Sequence, residues 1–133
     1  MGAFDRQIRI QNWNQGKVEE QECLVLGTGG LGCSVSIGLA RLGVKKIVMV
    51  DKDVVDLTNM NRQILFKLTD VGLPKAETAR DRLLEQHVVS KNTQVEAYNM
   101  DVLPNWQRIV AMVDSASVVF NMIDVGEYWD VAV

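Results

Sequence analysis

"CLVLGTGGLG", residues 23–32, decides the fold. Its first four residues are apolar without alternation, the profile of a strand buried on both faces of a parallel sheet. Gly27, Gly29 and Gly32 then fit GxGxxG where a strand turns into a helix. Each glycine has a physical job: one permits the tight turn, one lets phosphates approach the backbone, and one allows close helix packing. Beyond the loop, Leu31, Val35, Leu39 and Leu42 recur at helical spacing, and Gly43 stands where a helix stops. "KIVMVD", 46–51, is a second buried strand, ending in an acid. Strand, glycine turn, helix and strand make a βαβ unit.

Outward from that unit the same alternation continues. Pro74 suits the first turn of a helix, where its missing N–H has no partner to lose. Ala76, Ala79, Leu83 and His87 mark the inner stripe of that helix. "TQVEAYNM" (93–100) alternates like a strand, "NWQRIVAMV" (105–113) reads as a short helix, and "SVVFNMI" (117–123) as another buried strand. The expected class is α/β: a Rossmann-like open, mainly parallel sheet with helices on both faces. A doubly wound sheet normally runs past Asp124, so its second half reads as truncated. Residues 1–20 are expected to form an N-terminal helical arm. Residues 21–133 are expected to form a nucleotide-binding domain, incomplete at its C-terminus.

Composition narrows the function. At 133 residues the chain is the size of one domain, and 47% hydrophobic with 23% charged residues is ordinary for a soluble protein. A net charge of −3 gives no basic field for nucleic acid. No apolar run approaches the roughly 20 residues a membrane span needs. The start "MGAFDRQIRI" carries charges where a signal peptide has its apolar core, and Arg6 stands where a myristoylation signal wants Ser or Thr. Cys23 and Cys33 match no zinc or CxxC spacing. The expected location is cytoplasmic or nuclear, with reduced thiols.

The glycine loop and Asp51, placed to bond ribose hydroxyls, leave NAD and ATP both open. The two segments beyond them are less neutral. "NMNRQILF" (59–66) and "GLPKAE" (72–77) put Arg62 and Lys75 just past the strand that carries Asp51. A triphosphate attacked at its α-phosphorus accumulates negative charge there and on the departing pyrophosphate, and fixed cations answer it. Asn59 and Gln63 add neutral donors. Such chemistry also asks for magnesium, and Asp124 stands at the C-terminal end of an expected strand, where parallel sheets keep their sites.

"FDRQIRI", "GTGGLGC", "VDKDVVDLTNMNRQILF" and "DVGLPKAETARDRL" together resemble the adenylation domain of the ubiquitin-activating-enzyme superfamily. That superfamily includes the molybdopterin- and thiamine-pathway adenylyltransferases for sulfur-carrier proteins. The similarity runs to about Leu84 and resumes at Asp124. It implies that Gly27, Gly29, Gly30 and Gly32 hold ATP, that Asp51 binds the ribose, and that Asn59, Arg62, Gln63 and Lys75 surround the phosphates. Asp124 would organise Mg2+. Arg6 holds the position from which the family reaches a partner subunit's nucleotide, implying a homodimer or a heterodimer with a related subunit. The implied reaction joins the C-terminal carboxylate of a ubiquitin-like or sulfur-carrier protein to AMP and releases pyrophosphate. Arg62, Lys75 and Arg6 are the implied catalytic residues.

Other features have plainer readings. Asp53 and Asp56 suit turns and helix starts. Glu77, Asp81 and Glu85 form an i, i+4 row that reads as a solvated face. His87 reads as filler on an amphipathic helix, and Trp13, Trp106 and Trp129 have no base-stacking spacing. Phe4 and Ile8 share a face suited to an arm packing on the domain or on a partner. The family often has an arginine shortly after the magnesium aspartate, and "DVGEYWDV" (124–131) offers none. Two alternatives stay open at this level: an NAD-binding Rossmann domain, and a nucleotide-binding but inactive scaffold half of a dimeric enzyme.

Overall fold

Glu22–Leu26 form β1, with Cys23 to Leu26 all buried. This computed structural model describes residues 2–85 and 92–123. Lys46–Asp51 (β2) pairs with β1 in parallel from Glu22↔Lys46 to Leu26↔Val50. Gln94–Asn99 (β3) adds to the outer side of β2, and Val118–Asn121 (β4) to the other side of β1. The order is β3-β2-β1-β4, parallel throughout. Burial follows position. Central β1 is apolar on both faces, whereas β3 and β4 at the edges are only half covered.

Helices cover both faces, as the class requires. Ahead of the sheet lie two short helices, Asp5–Ile8 (α1) and Gln15–Glu19 (α2). Gly30–Leu42 (α3) connects β1 to β2, and Lys75–Glu85 (α4) connects β2 to β3. Both α3 and α4 pack on the face carrying Cys23, Val25, Ile47 and Met49. Trp106–Ser115 (α5) leads into β4 and covers the opposite face, where Ile109 and Val102 meet Leu24, Leu26 and Val50. Ala76, Ala79 and Leu83 are fully buried on α4, as their spacing predicts, and Glu77, Asp81 and Glu85 are exposed. His87 lies outside the described residues.

The buried face of α3 differs from the leucine spacing. Gly32, Cys33, Ser36, Leu39 and Ala40 face the sheet, while Leu31 is 70% exposed. Small residues win because the helix approaches the strand turn closely: a Cβ on Gly32 would stand 2.0 Å from the Gly27 carbonyl oxygen. At the other end of α3, the Phe4 ring rests against Gly43, at 2.4 Å from where a Cβ would be. Gln15 Nε2 donates to the Leu42 carbonyl at 2.9 Å. The arm thus covers the C-terminal end of α3. Ile8, on the same face as Phe4, remains 52% exposed.

Candidate functional site

The site forms where β1 and β2 end. Gly27 takes a positive φ of 95° and donates its N–H to Val50 O at 2.8 Å, tying the two strand ends together. Gly29 is the extended residue before α3, and Cys33 N–H donates to Gly29 O at 2.9 Å, the first turn of the helix. The amides of Gly30, Leu31 and Gly32 therefore have no intrahelical partner and carry the positive end of the helix dipole. This is the arrangement that takes phosphate.

Asp51 braces that loop. One carboxylate oxygen accepts from Thr28 N–H (2.7 Å) and Thr28 Oγ1 (2.9 Å), the other from Asp53 N–H (2.8 Å). Thr28, fully buried, is the partner that orients Asp51, and no motif singles it out. Its only signal in the sequence is a hydroxyl inside the glycine loop, one strand-end away from an acid. An ionised carboxylate has about four acceptor positions, so three donors orient Asp51 and still leave it a place for a hydroxyl.

Residues 52–74, between β2 and α4, far exceed the usual βα connection of about 2–6 residues. A loop of that length at the C-terminal end of a parallel strand is a place to look for function. Asp56 caps a 3-10 turn at Leu57–Asn59, its carboxylate accepting from Thr58 N–H and Oγ1, both at 2.8 Å. Asp53 sits in the turn after β2, its carbonyl accepting from Lys75 N–H at 2.9 Å. Asp56 does the capping work its type suggests, whereas Asp53 contributes its backbone. Asn59 ends the 3-10 turn.

Further along, the loop folds back over the glycines. Measured from a Cβ built on Gly30, the Arg62 carbonyl oxygen is 3.4 Å away and its Cγ 3.5 Å. From Gly29, Gln63 Nε2 is 3.8 Å away. Arg62 is exposed, while Gln63 is buried and its Oε1 has no hydrogen-bond partner among the described residues. A buried amide with one orphaned end is incomplete without a ligand or a water.

Lys75 opens α4 and is only 6% exposed. Among the described residues its ammonium forms no ion pair. Its charge and that of Asp51 both act on the Cys33 thiol in the first turn of α3. Burial pushes that thiol up to about 12, against a smaller lowering by Leu65 N–H and Lys75. Its sulfur donates to Thr28 O at 3.2 Å. Cys33 is thus an inert packing residue, in keeping with its lack of any motif. Asp56 feels the Lys75 charge from beyond ion-pair distance; a buried cation with no ion-pair partner is costly to desolvate, and it is suited to an anion.

One expected site residue stands elsewhere. Arg6, exposed on α1, belongs to the arm that packs on Gly43. Helix α3 separates that end from Gly30 by about 20 Å at 1.5 Å per residue, beyond the reach of an arginine within one chain. Asp124 lies outside the described residues. Among the described residues no cluster of three or more His, Cys, Asp or Glu could hold a metal, and no helix is long and apolar enough to cross a membrane. A separate cavity of about 320 Å³ lies under α5, on the other face of the sheet. Its charges already serve each other: Lys46 pairs with Glu96 at 3.2 Å, Tyr98 O–H donates to Glu96 at 3.1 Å, and the Arg108 guanidinium lies 5.2 Å from the Tyr98 ring centre.

The chain resembles known proteins along nearly its whole length. It is 36% identical over 132 residues to the adenylyltransferase and sulfurtransferase MOCS3 of Culex quinquefasciatus, covering 93% of this chain and 30% of that one. With the molybdopterin-synthase adenylyltransferase of Escherichia coli K12 it shares 40% over 86 residues, 62% of this chain and 34% of the other. With the catalytic subunit of the NEDD8-activating enzyme of Arabidopsis thaliana it shares 38% over 86 residues, 65% of this chain and 17% of the other. Among solved structures, the tRNA N6-threonylcarbamoyladenosine dehydratase TcdA of E. coli superposes with a TM-score of 0.77. The two are 29% identical, covering 92% of this chain and 50% of that chain. E. coli MccB in its complex with ATP gives a TM-score of 0.61 at 32% identity, covering 67% of this chain and 25% of the other. The chain spans about a third or less of the curated relatives in these pairings. These are the groups of protein its motifs resemble, and the model of the ThiF family matches residues 4–128. With its glycine loop, its Asp51 brace and its parallel sheet, this chain belongs to the ThiF family.

Proposed function

We propose that this chain forms the nucleotide-binding half of an adenylating enzyme. Its substrates are ATP and the C-terminal carboxylate of a ubiquitin-like or sulfur-carrier protein; its products are the acyl-adenylate and pyrophosphate. The observation that carries this reading is Lys75: a buried residue whose ammonium makes no ion pair among the described residues and whose charge is felt by Cys33 in the first turn of α3. A dinucleotide domain has little use for that cation, whereas a departing pyrophosphate needs one. Relatives named as adenylyltransferases, and a structural neighbour solved with ATP, support the same reading.

In the reaction, a carboxylate oxygen of the carrier attacks the α-phosphorus, and the bond from that phosphorus to the pyrophosphate oxygen breaks. The loop amides of Gly29, Gly30 and Gly32 receive phosphate oxygens, with Gly27 shaping the turn that presents them, and Asp51 accepts from a ribose hydroxyl. Arg62 supplies a forked contact and Lys75 a point charge to the charge that builds on the leaving group. Asn59 and Gln63 add neutral donors. Asp124 would hold Mg2+, which neutralises phosphate charge when bound. Arg6 acts on the nucleotide of a second, related subunit, because the arm that carries it is seated at the far end of α3 from its own loop. A cytoplasmic location accords with two free, buried cysteines.

The test is calorimetric titration with MgATP and separately with NAD, on the wild type and on Arg62→Ala, followed by ATP–pyrophosphate exchange with candidate carriers. MgATP binding should weaken in the variant by roughly 10- to 150-fold, the loss of one charge-assisted contact. NAD binding indifferent to Arg62 would mean a dinucleotide domain instead. Arg6→Ala should lower affinity only in a dimer; an equal loss in a demonstrated monomer would remove its role in trans.

A further inference from the structure

The turn that delivers Lys75 is held by a buried charge rather than by an apolar anchor. Residues 67–73 point three large apolar side chains at solvent: Leu68 is 69% exposed, Val71 43% and Leu73 45%. Hydrophobic burial therefore does little to locate this segment. Asp70, from the same turn, has a side chain only 1% exposed. Its Oδ1 accepts from Arg82 Nη2 at 2.6 Å, and its Oδ2 from Arg82 Nε at 2.9 Å and Lys67 N–H at 2.8 Å. Arg82 comes two turns after Lys75 on α4, so the two side chains leave the same side of the helix. The turn's backbone is stitched in the other direction, to the segment leaving β2. Gly72 N–H donates to Val55 O and Val55 N–H to Leu73 O, both at 2.8 Å, and Val54 and Pro74 form an antiparallel bridge.

We propose that the Asp70–Arg82 pair is a positioning device for Lys75: it locks α4 to the 67–73 turn, itself stitched to the segment leaving β2, and so fixes where the Lys75 ammonium stands relative to the end of β2 and the glycine loop. This rests on the adenylation reading of the same site. A flexible four-carbon side chain at the first residue of a helix is poorly defined by itself, and its charge is useful only at a fixed place. Both Asp70 oxygens are engaged by a planar fork, which sets distance and angle together. Stability alone is a weak reason for such a pair, since apolar replacements of buried ion pairs are often neutral or better. Glu85, which bonds both Lys67 and Arg82, extends the network at the surface, where ion pairs contribute little.

A mutant cycle separates positioning from mere support. MgATP affinity of the whole chain is measured by calorimetry for the wild type, Asp70→Asn, Lys75→Met and the double variant, beside thermal unfolding of each. We expect Asp70→Asn to weaken MgATP binding roughly 5- to 10-fold, less than loss of the ammonium itself, but by under about 2-fold once Lys75 is Met. A structural role would give factors that multiply. Arg82→Lys keeps the charge and loses the fork, so it should fold near the wild-type Tm and show the same affinity loss. Asp70→Asn or Arg82→Lys binding MgATP like the wild type, or independent factors in the cycle, would overturn the positioning role while Lys75→Met still binds weakly. Unchanged binding by Lys75→Met itself would instead remove the adenylation reading, and the positioning role with it.

Discussion

Replacing Lys75 by Met should separate two energies that act in opposite directions. Met preserves most of the apolar stem and removes the ammonium, which sits in a residue 6% exposed and has no carboxylate ion pair among the described residues. Holding that charge away from water disfavours the fold, and apolar replacements of buried charges are often neutral or stabilising by about 1–4 kcal/mol. Without nucleotide, Lys75→Met should therefore melt at or above the wild-type temperature, by about 3–5 °C for each kcal/mol in a chain of this size. Against nucleotide the sign reverses, because a charge-assisted contact is worth about 1.5–3 kcal/mol, or about 10- to 150-fold in Kd. Thermal unfolding with and without MgATP reads both. At about 100 times the wild-type Kd, the ligand stabilises the wild type by about 2.7 kcal/mol. A variant tenfold weaker gains about 1.4 kcal/mol at the same concentration, and one a hundredfold weaker about 0.4 kcal/mol. A variant that melts lower without nucleotide, yet keeps the full nucleotide-dependent rise, would refute the reasoning: the ammonium would then be satisfied inside the fold.

Three other outcomes are expected from the same geometry. Gly32→Ala puts a methyl 2.0 Å from the Gly27 carbonyl oxygen, a backbone atom that cannot step aside; it should lower stability by at least the roughly 1–3 kcal/mol typical of overpacking, read as the urea midpoint. The Arg82 guanidinium, with help from Lys67 N–H, holds the Asp70 carboxyl below its ordinary range. Its contribution is then fully present above the unfolded-state value near pH 4 and is lost as pH falls through the lower folded value. The acid limb of stability should flatten in Asp70→Asn below about pH 4, and an unchanged limb would mean other carboxylates set it. Cys33, buried and with its thiol pushed up to about 12, should resist iodoacetamide at pH 8 until denaturant is added; intact-mass measurement of the folded chain should find neither buried cysteine alkylated.

What the sequence determined by itself is the part of the structure made by neighbours along the chain. The apolar run before Gly27, the glycine spacing, the Ala76–Ala79–Leu83 stripe and the three further strands rest on periodicity and backbone conformation. These act over a few residues and survive into the fold unchanged. The motifs also carried the family, since their order along the chain needs no coordinates. Only the tertiary structure decided which side of α3 is buried, because close approach of Gly32 to the strand turn favours small residues there and leaves Leu31 in solvent. It alone decided that Lys75, of a type usually exposed, is buried, and that Arg62 lies over Gly30. Likewise Thr28 meets Asp51, and Asp70 meets Arg82, only once the elements have packed. The physical reason is common to all of these. Desolvation and the pairing of charges depend on what the sheet order brings alongside, and residues far apart in the chain give no local sign of that meeting.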